Sequence, residues 1–482
     1  MYVGSEPFSR HMLAVSFLIV AIGLAVLLAW CPRLQRSNVL FRTFSFVTLT
    51  PFYALTIKLG DLLGGANPFV RFPSATSAML QEKDALFAAM QRFEGSQLPR
   101  GPKLVSLTFL GGMEAEPGKS ATATKLRLVY QWAGHTGNAP PTQRTVDLFI
   151  KTSAERKVPL FVKAIIAAFI PEVRETAFHA RVTQGRLVVP VTVAPTLAAY
   201  SSRLFARTLL VQELVGPHFQ TVADWRGASA KQLGDLVSAA ARMHARYWRL
   251  PGDSHGRELS FLYEDAGLQW LGMVDLVLNA KTPAHIMETW RGLKKYFATE
   301  KRLTMSHGDC RPGNMLFRVA RNPEGVAFPD ASVDVVFTDW EAACISPFMW
   351  DFTYATLLGQ EAAERRSNHA ALLSKYRASL VAAGVPAEDC PVELCEQHRR
   401  LLVFVVGYFG IALDALGGVG AVQGNTDEDV GAWRRRIFEG RRDALEHVAE
   451  MSRLTGVPEA HFHALVAGDA EEEEERRSKA SS

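Results

Sequence analysis

Cysteine is scarce in this chain: there are five in 482 residues, at Cys31, Cys310, Cys344, Cys390 and Cys395. None forms a Cys-x-x-Cys pair and the count is odd, which argues against a disulfide framework and for a reducing compartment. A surplus of one charge is missing too. Lys and Arg number 53 against 49 Asp and Glu, a formal net charge of +4, so no basic surface speaks for nucleic acid as a partner. A Walker A loop is also absent. Gly118-Lys119-Ser120 has the right ending, but the first glycine of that pattern would fall at Met113, and strand-like rather than helical sequence follows.

One long hydrophobic run is present. Met12 to Trp30 holds 19 residues without a charge, close to the about 20 that cross a bilayer as a helix. A cleaved signal peptide would have a shorter apolar core and small residues after it; here Ala29-Trp30-Cys31-Pro32 follows. Arg33, Arg36 and Arg42 lie beyond the run against Arg10 before it, so the positive-inside rule predicts a single-pass membrane protein with its C-terminal part facing the cytoplasm. Val39 to Ile57 is apolar but broken by Arg42 and Pro51, and reads as interfacial or packed on the domain.

Beyond residue 73 the pattern is that of a folded domain. Met79, Leu80, Leu86, Met90 and Phe93 share a helical face within Ser74 to Phe93. Strands are predicted at Leu104 to Leu110, Lys125 to Trp132 and Thr145 to Lys151, with a polar turn from Met113 between the first two. That turn suits a position over nucleotide phosphates, although its glycines are sparse. Lys151 ends the third strand, where a lysine reaches phosphates if a carboxylate fixes its ammonium. Glu172 and Glu175 follow on a helix; Glu175 is preferred, because Phe178 three positions on would pack that helix inward. A solvated helix surface is the plainer reading of both acids taken alone.

Leu209 to Leu214 reads as a buried strand ending in a hinge, where backbone groups from Glu213 and Leu214 to Val215 would pair with adenine. Lys231 to Leu250 is an amphipathic helix with His244 on its apolar face, which reads as a satisfied core histidine. Leu401 to Leu413 is a 13-residue apolar core, too short to span a bilayer. Trp270, Trp290, Trp350 and Tyr354 offer aromatic faces for a cation cage, with core packing the preferred role for each.

The densest chemistry lies in Ser306 to Trp340. His307-Gly308-Asp309 precedes Asn314 by a few residues, and Asp339-Trp340-Glu341 follows a predicted hairpin. Phosphoryl transfer needs a carboxylate near the acceptor hydroxyl and oxygen ligands for magnesium. Asp309 suits the first role, and Asn314 and Asp339 the second, since magnesium keeps several waters and needs few hard protein oxygens. Cys310 lacks a His placed to activate it, and Asp309 beside it is the stronger chemical candidate.

At these residues the chain resembles the aminoglycoside phosphotransferase and choline kinase superfamily, closest to its CHK kinase-like (ecdysteroid kinase-like) branch. The motifs are SHGDCRPGNMLF and FTDWE, supported by FIK, RETAF, VQEL and AARMHARYW. Arg311 departs from the pattern, standing where many members carry an aromatic or His. The absence of Asp-Phe-Gly and Ala-Pro-Glu segments separates the chain from protein kinases. The resemblance implies an α+β, bilobal protein-kinase-like fold, with a β-rich N-lobe and a helical C-lobe. It also implies ATP and Mg2+, and transfer to a hydroxyl of a small molecule. Asp351 matches an acid that braces the catalytic loop in the family.

The expected organisation is a membrane anchor and juxtamembrane segment over 1–73, an N-lobe over 74–215, a C-lobe over 216–465 and a disordered charged tail over 466–482. A membrane-anchored pseudokinase that binds a ligand or scaffold partner is the alternative. Retention of Lys151, Asp309, Asn314 and Asp339 favours the enzyme.

Overall fold

The computed structural model describes residues 83–96, 98, 101–113, 122–132, 142–152, 173–202, 207–216, 218–249, 258–259, 262, 274, 278, 282–318, 334–415 and 427–468. The expected membrane run at 12–30, Glu172 and Trp270 lie outside them. Among the described residues no helix is long and apolar enough to cross a membrane.

Helix α1 (Lys83–Arg92) precedes an antiparallel sheet made of β1 (Lys103–Met113), β2 (Thr122–Trp132), β3 (Thr142–Thr152), β5 (Thr196–Ser202) and β6 (Arg207–Glu213), in the order β1-β2-β3-β6-β5. Alternation decides which face is covered: Leu126, Leu128 and Tyr130 of β2 and Leu148 and Ile150 of β3 are buried with Leu86, Phe87 and Met90 of α1. Lys151, one residue beyond Ile150, therefore falls on the opposite face. Strand β1 runs on through Gly111 and Gly112, past its predicted end, with register shifts between Leu104 and Ser106 and between Phe109 and Gly111. Val105, Phe109 and Leu110 are exposed along it.

Helix α2 (Val173–Thr183) and the short β4 (Thr192–Val193) lead toward the second lobe. There β7 (Phe219–Gln220), β9 (Met315–Arg318) and β10 (Val335–Phe337) join β4 in the order β4-β10-β9-β7, while β8 (Leu303–Ser306) pairs with β11 (Cys344–Pro347). The rest is helical: α3 (Ala230–Arg246), α4 (Ala284–Ala298), α5 (Trp350–Gly359), α6 (Ala362–Ala382), α7 (Val392–Ala415), α8 (Asp427–Ala444) and α9 (Val448–Thr455). Residues 459–468 are helical too, with Val466 buried, so the folded part extends beyond the predicted boundary at 465.

A capping box starts α3. The Ser229 hydroxyl accepts from the Gln232 amide at 3.3 Å, and the Gln232 side chain accepts from the Ser229 amide at 2.9 Å. Its apolar stripe, Leu233, Leu236, Val237 and Ala240, then enters a core shared with α5, α6 and α7. Leu401 to Tyr408 of α7 lie in that core, as the short apolar run predicts. Helix α5 is buried along its whole length, which places it at the centre of the helical lobe, directly behind the loop after β8. A sheet-rich lobe against a helical lobe is the expected α+β, bilobal arrangement.

Candidate active site

The cleft between the lobes is built from four pieces of chain. Strand β3 supplies Lys151, α2 supplies Glu175, the loop after β8 supplies Asp309 and Asn314, and the residues after β10 supply Asp339 and Glu341. Lys151 Nζ lies 2.9 Å from Glu175 Oε2, 2.5 Å from Asp339 Oδ1 and 3.5 Å from Glu341 Oε2. Burial alone would strip the lysine of its proton, but Asp339, Glu175 and Glu341 outweigh it and hold the ammonium well above the ordinary lysine range. One cation among three carboxylates leaves an excess of negative charge. The deeply buried Glu175 absorbs it: burial pushes its carboxyl up to about 7 against the pull of Lys151, while Asp339 stays below its usual value. His179, one turn along α2, is kept neutral by burial and by Lys151, its pKa lowered to about 3.

Helix α2 is fixed from the other side by Phe178, which stacks on Trp340 with ring centroids 3.9 Å apart. Phe178 thus orients the helix that presents Glu175, as its spacing predicts. Asp339 itself has φ 61° and ψ 59°. This left-handed conformation is costly for most residues but tolerated by Asp and Asn.

The loop after β8 is anchored by Asp351 at the start of α5. Its carboxylate accepts the amides of His307 at 2.8 Å and Gly308 at 3.0 Å, and His244 Nε2 lies 3.1 Å away. Burial opposes that charge, yet His244 and the amides hold the carboxyl below its usual range. His244 also meets the Tyr376 hydroxyl at 2.7 Å, so it is a fully partnered core residue. Gly308 has φ +87°, and a Cβ there would stand 2.0 Å from the Ala342 carbonyl oxygen; only glycine fits. His307 Nε2 donates to the Thr338 carbonyl at 2.8 Å, and the Thr338 hydroxyl donates to the Asn314 backbone carbonyl at 2.7 Å. These bonds tie the Asp309 loop to the chain that carries Asp339.

Asn314 Nδ2 donates to Asp309 Oδ2 at 2.7 Å and to the Asp309 carbonyl at 3.0 Å. With its amide nitrogen committed, Asn314 is left with a carbonyl oxygen, a hard ligand for a divalent cation. Arg311 Nε donates to the same Asp309 Oδ2 at 3.2 Å, while its Nη1 bonds Asp224 Oδ2. Asp309 Oδ1 is buried without a hydrogen-bond partner. Tyr354 lies beside this carboxylate, and burial together with the Asp309 charge pushes its phenol well above the usual range.

The structure thus gathers Lys151, Glu175, Asp309, Asn314 and Asp339 into one cleft, as expected. At the expected hinge the Glu213 and Leu214 amides donate to the Pro195 and Asp147 carbonyls at 2.9 and 2.8 Å, so these two amides are committed within the protein. Trp290 and Trp350 are fully buried and form no cage; Trp350 Nε1 donates to the Gly308 carbonyl at 2.8 Å. Cys310 is buried with its thiol pushed well up by that burial, consistent with an inert side chain. Asp224 and Trp433 carry no local sequence signal and come to this site only through the fold. Glu341 stood within a recognised motif without an assigned role, and the oxygens of Glu175, Asp339 and Glu341 lie within 4.8 Å of one another.

Residues 171–380 match the model of the phosphotransferase enzyme family. Over that segment the chain is similar to the phosphotransferase enzyme family. The segment contains Glu175, Asp309, Asn314, Asp339 and Asp351; Lys151 lies upstream of it. No curated protein matches the chain.

Solved structures that match this chain include an amicoumacin kinase in complex with AMP-PNP, Ca2+ and Ami, at 12% identity and a TM-score of 0.41, covering 81% of this chain and 98% of that one. A choline kinase from Streptococcus pneumoniae shares 14% identity with a TM-score of 0.40, over 75% of this chain and 99% of its own. An ethanolamine kinase from Plasmodium vivax shares 7% identity with a TM-score of 0.42, over 69% and 81% of the two chains.

Proposed function

We propose that this protein is a phosphotransferase that moves the γ-phosphate of ATP to a hydroxyl of a small molecule. Lys151, held charged between Glu175 and Asp339 and facing Asp309 and Asn314 across one cleft, is the observation that carries the reading. When ATP enters, Lys151 can exchange its carboxylate partners for α- and β-phosphate oxygens, with Glu175 holding its ammonium in place. The donor set fits magnesium: the Asn314 carbonyl and Asp339 are hard oxygen ligands, and Glu341 stands beside them. Bound there, magnesium would supply charge neutralisation for the phosphates. Asp309 does the work at the acceptor. With Oδ2 held by Asn314 and Arg311, the carboxylate is fixed in place to receive a hydroxyl proton and aim the oxygen at phosphorus.

The motifs SHGDCRPGNMLF and FTDWE favour the CHK kinase-like branch within this reading. The apolar run at 12–30 adds a single-pass anchor in a bilayer, with the catalytic domain on the cytoplasmic side where ATP is available. That position makes lipophilic, membrane-delivered alcohols attractive acceptors.

The test is Mg-ATP turnover by the full chain on a panel of alcohols, sterols, choline and aminoglycosides. Asp309→Asn should lower kcat by roughly 10²- to 10⁴-fold with ATP affinity nearly kept. Wild-type protein that binds ATP but turns over no acceptor would make it a pseudokinase. Protease protection in sealed vesicles tests the topology; a lumenal catalytic domain refutes the orientation.

A further inference from the structure

Arg311 is the residue by which the catalytic loop departs from its expected pattern, and the structure engages it on three sides. Nε faces Asp309 Oδ2 at 3.2 Å. Nη1 bonds Asp224 Oδ2. Its guanidinium lies over the Trp433 ring, 4.8 Å from the centroid. Arg311 and Asp224 are both buried, and the two aspartates keep the guanidinium charged against its burial.

The partners are themselves fixed. Asp224 Oδ1 accepts the Gly313 amide at 2.8 Å, and a Cβ at Gly313 would stand 2.7 Å from that oxygen. The Asp224 backbone carbonyl accepts from Arg436 Nη1 at 2.6 Å, and the Trp225 carbonyl from Arg436 Nη2 at 3.1 Å. Arg436 and Trp433 sit one turn apart on α8. One helix therefore pins the loop that holds Asp224 and covers the arginine that spans from it to Asp309.

We propose that Arg311 is a positioning residue, which with Asp224 and α8 locks the Asp309 carboxylate in one rotamer by occupying Oδ2 together with Asn314. Two donors on one oxygen, Asn314 Nδ2 from one side and Arg311 Nε from the other, remove the free rotation an aspartate otherwise has. A guanidinium is suited to this because its planar fork serves two carboxylates at once; a lysine ammonium has no such fixed geometry. Asp309 is the group that touches the acceptor, and Arg311 acts through it.

The proposal rests on the phosphotransfer reading for its kinetic arm only. In that arm, Mg-ATP hydrolysis by the full chain is measured with water as acceptor. Arg311→Met should lower kcat roughly 10- to 100-fold, the range a misplaced reacting group costs, with the KM for ATP held within about twofold. Arg311→Lys should recover little of that loss. Asp224→Asn should cost kcat alone yet add nothing in the Arg311→Met background, as expected of residues acting as one unit. A raised KM with kcat intact, or full recovery by Arg311→Lys, overturns the proposal.

The structural arm needs no turnover. A crystal structure of Arg311→Met should show the Asp309 carboxylate rotated away or in more than one rotamer. A carboxylate unmoved on Asn314 overturns the proposal. Wild-type protein that neither binds nor hydrolyses ATP sinks the phosphotransfer reading alone, and the crystal structure still decides the role of Arg311.

Discussion

Lys151 holds three carboxylates together, so its removal should uncover all of them at once. In Lys151→Met, Glu175, Asp339 and Glu341 lose their shared cation, and mutual repulsion favours any divalent ion that replaces it. Titration calorimetry of the nucleotide-free protein should show Mn2+ binding tighter by about tenfold, while ATP affinity falls; weaker Mn2+ binding would mean the acids have moved apart. Glycine gives a second residue-scale prediction. Gly308 and Gly384 both have positive φ, but a Cβ at Gly308 strikes the Ala342 carbonyl whereas at Gly384 it meets open space. Gly384→Ala should cost only the backbone strain, about 1–2 kcal/mol. Gly308→Ala should cost more than about 3 kcal/mol, read as the difference in urea unfolding midpoints.

Helix α2 is the element on which the cleft depends, since it presents Glu175 on one side and rests on Trp340 through Phe178. Phe178→Ala should destabilise the protein by about 3–5 kcal/mol and raise the KM for ATP by freeing Glu175. An unchanged KM would separate the packing from the site. Elements of this kind are legible in sequence because their signals are local. The alternation in Lys125 to Trp132, the helical stripe after Lys231 and the run from Ser306 to Asn314 each show within a dozen residues, and each forms close to where it is expected. The unread parts are those where distant chain meets. Nothing near Asp224 announces that it will bond the amide of Gly313, and nothing near Trp433 announces Arg311. The Glu213 and Leu214 amides are a related case: the fold directs them to Pro195 and Asp147, which strand periodicity does not reveal.

The molecule as a whole is stapled by buried ion pairs outside the cleft, and these set its acid tolerance. Glu300 accepts from Arg302 and lies 2.8 Å from His398 Nε2. Burial works against its charge, but His398 and Arg302 win and lower its pKa from 4.5 to about 2. Glu396, held by His369 and Arg399, behaves alike and also lies at about 2. A carboxyl depressed in the folded state binds its proton more readily unfolded, so this stabilisation is complete above 4.5 and fades as pH falls toward 2. Glu300→Gln should therefore lose stability near pH 7 and differ little from wild type near pH 2, measured as urea midpoints across that range. An equal loss at both ends would assign Glu300 a role in packing only.

Strand β1 carries a consequence for how the protein behaves among its own copies. It is one of the two outer strands of the five-stranded sheet and bears exposed Val105, Phe109 and Leu110, the pattern that ordinarily invites another chain to add a strand. Its two irregularities, at Leu104/Ser106 and Phe109/Gly111, break the even ladder such an addition would need. This edge of the sheet can thus keep apolar side chains in solvent without templating a fibre. Deleting either extra residue to straighten the strand should trade solubility for regularity.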